Sequence, residues 1–292
     1  MKDLASLADT LHRIDGRGYR AYKELAGGYG CSDFELHIDH VQGDPFAAPS
    51  RLRVIVPHAV AELPADLRTP ERRVAVADFV ARAFAREAAR IEQRRGSGKS
   101  GQIDIDAPGQ EVLARTACQL TPDGVELRFT VGLPAAGRRV LGRQADRLLL
   151  DDLPALVRAT ARFASLDPLA LRRHAECVED AAALRQQITA AGLVAFVAEG
   201  ALLPRRSGID PRPLAAVDTI PFESPPELRA SFDLPNGGTV TGMGIPQGVT
   251  LIVGGGYHGK STLLEALEMG IYDHRPDDGR QLVVSHPATV PV

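Results

Sequence analysis

The chain has 292 residues, 44% of them hydrophobic, which is enough for two domains with packed cores. Its formal net charge of −3 excludes the behaviour of a bulk polycation, so any nucleic-acid contact needs local clustering of the 34 Lys and Arg residues. Cys31, Cys118 and Cys177 are scattered and form no C-x-x-C, and no apolar run reaches the ~18 residues of a membrane span; a soluble cytoplasmic protein is expected.

In chain order, "MKDLASLADTLHRIDGRGY" alternates charge with Leu every three or four residues and predicts an amphipathic helix rather than a signal peptide. In "CSDFELHIDHVQ", Phe34, Leu36 and Ile38 alternate with polar residues, the period of a half-buried strand, and "RLRVIVP" predicts a second strand. A long helix follows to about Arg95, with Thr69 as its expected cap, Pro70 in the first turn and Glu71 at its positive end. "GQIDIDA" and "VELRFTVGL" predict strands, and helical segments are expected over 143–192, broken at Pro154 and Pro168. "GLVAFVAEGALLP" reads as a strand pair and "RRSGIDPRP" as a loop. Short strands between Pro and Gly turns then precede "VTLIVGG", which reads as a buried strand. These elements predict an α/β protein: a mixed α+β domain over 1–215, then a second domain over 216–292.

Gly-Lys-Ser occurs twice. A phosphate loop needs G-x-x-x-x-G-K-[ST] between a strand and a helix, so that the first helical N–H groups point at the anion. Gly254, Gly259, Lys260 and Ser261 satisfy that spacing, and Leu263, Leu264, Leu267 and Ile271 predict one apolar face on the helix that follows. Gly254, Gly255 and Gly256 let the backbone approach an anion. The amides of Gly256 to Lys260 are then expected around the β-phosphate of ATP. Lys260 is expected on the β- and γ-oxygens, Ser261 on Mg²⁺, and Thr262 near the α-phosphate. Tyr257 and His258 are bulky for this loop, and either face solvent or touch a partner or the base. Around Gly98-Lys99-Ser100 the order is reversed: a helix precedes, a strand follows, and Gln93 stands where the leading glycine belongs.

Before that first stretch, Arg82, Arg86, Arg90 and Arg94 recur every four residues and form one stripe, which Arg95 and Lys99 extend. The packing stripe, Val76, Val80, Phe84, Ala88 and Ile91, is displaced by about 200°. A basic face of this kind either contacts a nucleic-acid backbone or is solvated, with its arginines paired to acids elsewhere. "LLLDD" at 148–152 imitates the acidic Mg²⁺ motif of P-loop ATPases but reads as helix. His37 and Asp39 share a strand face without a third metal ligand, and Asp104 with Asp106 reads as an exposed strand edge.

The stretches "IDGRGYRAYKELAGGY", "IDHVQGDPFAAPSRLRV", "RGSGKSGQIDIDAPGQEVLARTA", "LVAFVAEGALLPRRSG" and above all "GGGYHGKSTLLEALE" resemble the predicted ATPases of the ABC class. That resemblance implies a family-specific N-terminal domain followed by the start of an ABC-type core, with ATP and Mg²⁺ as ligands. It also implies a homodimer sandwiching ATP head to tail. Phe232 or Phe222 would stack on the adenine. The family's glutamine loop, signature segment and acidic Mg²⁺/water motif are not found in the 32 residues after Lys260. ATP binding is therefore expected, with hydrolysis in a complete, dimeric form. Two other readings are a nucleic-acid-binding module that uses the arginine stripe and a small-molecule P-loop kinase.

Overall fold

The computed structural model describes residues 1–92 and 95–289. The chain forms two compact units. The first comprises Met1–Ala107 and Ala114–Leu171, and the second Pro108–Leu113 with the chain from Arg172 on. The division falls at Leu171 rather than near 215. The strand at 193–198 has neighbours on both sides in the second unit's sheet, so the segment from 172 to 214 cannot fold with the first.

The first unit is a seven-stranded sheet with helices. Its elements are β1 (Lys2–Asp3), α1 (Leu4–Ile14), β2 (Gly27–Gly30), β3 (Glu35–His40), β4 (Ser50–Pro57), α2 (Arg73–Ile91) and β5 (Ile103–Asp104). After β6 (Glu111–Val112), which belongs to the second unit, come β7 (Cys118–Leu120) and β8 (Gly124–Val131). The strand order is β1-β2-β3-β4-β8-β5, with β7 also on β8. Asp3 caps α1 by accepting from the Ser6 amide at 2.9 Å, and Leu7, Leu11 and Ile14 are its buried stripe. Leu36 and Ile38 of β3 face the core as their alternation predicts, and so do Leu52, Val54 and Val56 of β4. From α2, Val76, Val80 and Phe84 complete the packing, Phe84 lying 5.0 Å from Phe129 between ring centroids.

Helix α2 starts at Arg73, not at Thr69. The Thr69 carbonyl, rather than its hydroxyl, receives the Arg72 and Arg73 amides, and Thr69–Arg72 is a turn ahead of the helix. Pro154 does not break the next helical run. Helix α3 (Gly142–Asp146) passes through a π-turn at Arg147–Asp152 into α4 (Leu153–Ala161). The wide turn takes up the register just where the proline's missing N–H falls. Pro168 opens α5 (Pro168–Ala190).

In the second unit, β9 (Leu193–Ala198), β12 (Arg229–Leu234), β13 (Gly238–Pro246) and β15 (Val283–Ser285) form an antiparallel sheet in the order β12-β13-β9-β15. The expected pair in "GLVAFVAEGALLP" is this one strand, β9, and "RRSGIDPRP" is a hairpin of β10 (Arg205–Ser207) and β11 (Asp210–Pro213). Both faces of β9 are buried. Phe196 and Ala198 pack with Ala181, Leu184 and Ile188 of α5; Ala195 and Val197 pack with Ala266 of α6 (Lys260–Met269). Between α6 and β15 lies β14 (Asp273–His274), paired with β6.

"VTLIVGG" departs from expectation. Residues 249–253 join no sheet, and Val249, Leu251 and Val253 are exposed. Strand formation needs a pairing partner as well as apolar residues, and these residues pair with no strand.

Candidate functional site

Gly254–Thr262 wraps the start of α6. Gly259 is the N-cap residue, at φ +77° in the left-handed region, and no side chain caps the helix. The first amides of α6 are therefore available to an anion, at the end where the helix dipole is positive. Lys260 turns back over the loop, its ammonium donating to the Gly255 carbonyl. Ser261 is exposed at the start of the helix and Thr262 half-buried. The buried face of α6 centres on Ala266, flanked by Leu263 and Leu267; Leu264 is exposed and Ile271 lies beyond the helix end, unlike the four-residue face expected.

The loop glycines differ in what they permit. The His258 imidazole lies over Gly254 and Gly255, so that a Cβ at Gly255 would stand 3.2 Å from its Cε1, whereas a Cβ at Gly256 would meet nothing within 4 Å. Tyr257 is at φ +62°, an uncommon region for a side chain of its size, and projects wholly into solvent. Phe232 packs edge-to-face on Phe196 at 5.5 Å, and Phe222 packs against the core on the α6 side of the sheet.

At its other end α6 is held by side chains whose positions the sequence gives no reason to connect. Ser285 donates its hydroxyl to the Leu267 carbonyl at 2.6 Å. Arg185 reaches the Gly270 carbonyl at 3.2 Å, and His274 Nε2 lies 3.3 Å from the Met269 carbonyl. Behind His274, Asp278 is fully buried and accepts from Arg205 at 2.7 Å. Burial opposes the Asp278 charge, but hydrogen bonding and charge from His274, with Arg205, outweigh it and hold the carboxyl below its ordinary pKa. Buried Arg280 bonds the Leu203 carbonyl through Nε and Nη2, and burial lowers its pKa to about 10.

The first Gly-Lys-Ser stretch is built differently. Its amides are taken by backbone: Ser97 N donates to Ala135 O at 2.7 Å and Gly101 N to Gly132 O at 2.7 Å. The buried Ser100 hydroxyl receives the Ala135 amide at 3.1 Å. A Cβ on Gly96 would lie 2.1 Å from the Ala135 carbonyl, and one on Gly98 2.3 Å from the Pro45 carbonyl. This stretch packs one loop against another.

The arginine stripe is largely paired. Arg82 bonds buried Asp78 at 2.6 Å, Arg90 bonds Glu87 at 2.9 Å, and Arg95 pairs with Asp152. Arg86 and Lys99 are exposed, and Arg94 lies outside the described residues. "LLLDD" falls in the π-turn. His37 sits 3.3 Å from Glu35, Asp106 bonds Arg115 at 3.0 Å, and Asp104 is exposed. Among the described residues no group of three His, Cys, Asp or Glu could hold a metal, and no helix is long and apolar enough to cross a membrane. A groove of about 1140 Å³ in the first unit is lined by Asp39, Asp104 and Asp106 as well as by Arg51, Arg53 and Arg128, so its charges oppose one another.

Comparison with known proteins places these units. The chain is 34% identical over 109 residues to an uncharacterized protein of Methanocaldococcus jannaschii, a match covering 35% of this chain and 24% of that protein. The match thus spans about a quarter of that relative's length. A family model for the N-terminal region of ATPases of the ABC class matches residues 4–163, and one for the P-loop domain of ABC ATPases matches residues 167–292. With its two units matched in succession, the chain belongs to the ATPases of the ABC class.

Proposed function

We propose that Gly254–Thr262 binds the phosphates of Mg²⁺–ATP. The observation that carries this reading is the uncapped start of α6, with Lys260 folded over a glycine loop. In it, the amides of Gly256, Tyr257, His258, Gly259 and Lys260 surround the β-phosphate. The Lys260 ammonium exchanges the Gly255 carbonyl for β- and γ-oxygens, an ionic partner of greater strength. Thr262 stands by the α-phosphate. The Ser261 hydroxyl would hold Mg²⁺, which would supply positive charge against the phosphates. Hydrolysis also requires a carboxylate on the metal and a group that orients water, and the reading assigns turnover to a homodimeric assembly of the whole protein. The cytoplasm, where ATP is abundant, is the setting this reading implies.

A nucleotide ladder tests it. Affinity should rise steeply from AMP to ADP to ATP, and Ser261→Ala should remove most of the Mg²⁺ dependence without abolishing binding. Equal affinity for AMP and ATP would exclude a phosphate-directed site.

A further inference from the structure

Helix α6 carries the phosphate loop on its first turn and ends at Met269, against His274. Two contacts of the His274 ring define its role. Nε2 faces the Met269 carbonyl at 3.3 Å, and Nδ1 lies 2.9 Å from Asp278 Oδ2. Both ring nitrogens therefore face oxygens, one on the helix end and one on the carboxylate behind it. Asp278 is in turn gripped by Arg205, through its carboxylate at 2.7 Å and its carbonyl at 2.8 Å. The ring is thus fixed from behind while it holds the helix end.

The backbone of His274 has a second partner. In the pair β14–β6 it stands opposite Glu111, with Asp273 opposite Val112, and the Arg275 amide donates to the Gln110 carbonyl at 3.1 Å. Residues 108–113 are an excursion of the chain: they belong to the second unit, while Ala107 and Ala114 on either side belong to the first. One residue therefore touches both the end of the phosphate-loop helix and the strand whose flanks lead back into the first unit.

We propose that His274 is a positioning residue that couples nucleotide at the phosphate loop to the inserted segment 108–113. This rests on the reading of Gly254–Thr262 as the phosphate site. Helix α6 has ten residues, about 15 Å of stiff rod, so a shift of its first turn on anion binding is carried to Met269. The ring passes that shift to β14, and the strand pair passes it to Glu111 and Val112. The first unit receives it through the covalent chain at Ala107 and Ala114.

Hydrogen exchange of the full chain with and without Mg²⁺–ATP tests this, read on the amides of 110–113 and of 255–262. The expected result is protection of both stretches, by about tenfold at 110–113. His274→Asn keeps a donor towards Asp278 but is too short to reach Met269; it should retain protection at 255–262 and lose it at 110–113. Asp278→Asn, close to isosteric, should uncouple in the same way by releasing the ring, and serves if the first variant does not fold. Protection at 255–262 alone in the wild-type chain would overturn the coupling and leave the phosphate site standing. Protection at neither stretch would overturn both. Wild-type protection of 110–113 in either folded variant would remove His274 from the path.

Discussion

Gly98-Lys99-Ser100 and Gly259-Lys260-Ser261 share three letters and nothing of their physics. In the first, the glycines exist because backbone lies against them, and the amides of the surrounding loop are bonded to the carbonyls of Gly132 and Ala135. In the second, Gly256 faces open space and the first amides of α6 have no side-chain cap. A glycine-rich loop binds an anion only when its donors are unclaimed and its small residues leave room outward. The letters specify neither condition; the order of strand, loop and helix around them does.

The largest expected effect lies in the glycines of the first stretch. Gly96→Ala places a methyl into the Ala135 carbonyl at a left-handed φ of +133°, and should destabilise the first unit by about 3 kcal/mol in denaturant unfolding. In the second stretch, Gly256→Ala should change stability by less than about 0.5 kcal/mol yet weaken ATP binding roughly tenfold. A stable Gly96→Ala protein, or a Gly256→Ala protein that unfolds, would reverse the comparison.

Next in size is the anchor behind α6. Asp278→Asn leaves buried Arg205 without its counter-charge and should cost the second unit about 3 kcal/mol. The pH dependence has a definite sign. The folded pKa of Asp278 is depressed, so its contribution is complete above the ordinary carboxylate pKa of about 3.9 and is lost as pH falls through the folded value. Acid unfolding of the second unit should therefore flatten below about pH 4 in Asp278→Asn. An unchanged acid limb would remove Asp278 from the account.

The smallest expected effect is on the arginine stripe. Arg86→Glu together with Arg90→Glu should leave the salt dependence of any RNA or DNA retention unchanged, because Arg82, Arg90 and Arg95 already have carboxylate partners. A slope reduced by about one per arginine would restore the nucleic-acid surface.

Legibility in the sequence followed the range of the interactions. Alternation in "FELHI" and "RLRVIV" reports a local fact, which side of a strand is wet, and Leu36, Ile38, Leu52 and Val54 are buried accordingly. The helix after Gly259 was legible because it directly follows the glycine spacing. "VTLIVGG" departs from expectation because apolar character records a tendency to be covered, while a strand also needs a pairing partner, and 249–253 has none. The anchor of α6 was invisible: Arg185, Arg205, His274, Asp278 and Ser285 are up to 100 residues apart and meet only after the sheet has formed. The division at Leu171 was missed for the same reason, since it depends on the partners of β9 and not on the composition around 215.

The most direct measurement is calorimetric titration of Mg²⁺–ATP into three proteins: the unaltered chain, Lys260→Ala and Lys99→Ala. The account predicts that Lys99→Ala binds as the unaltered chain does, while Lys260→Ala loses on the order of 100-fold, about 2.7 kcal/mol. Loss of binding in Lys99→Ala with retention in Lys260→Ala would contradict it, as would the absence of binding in all three.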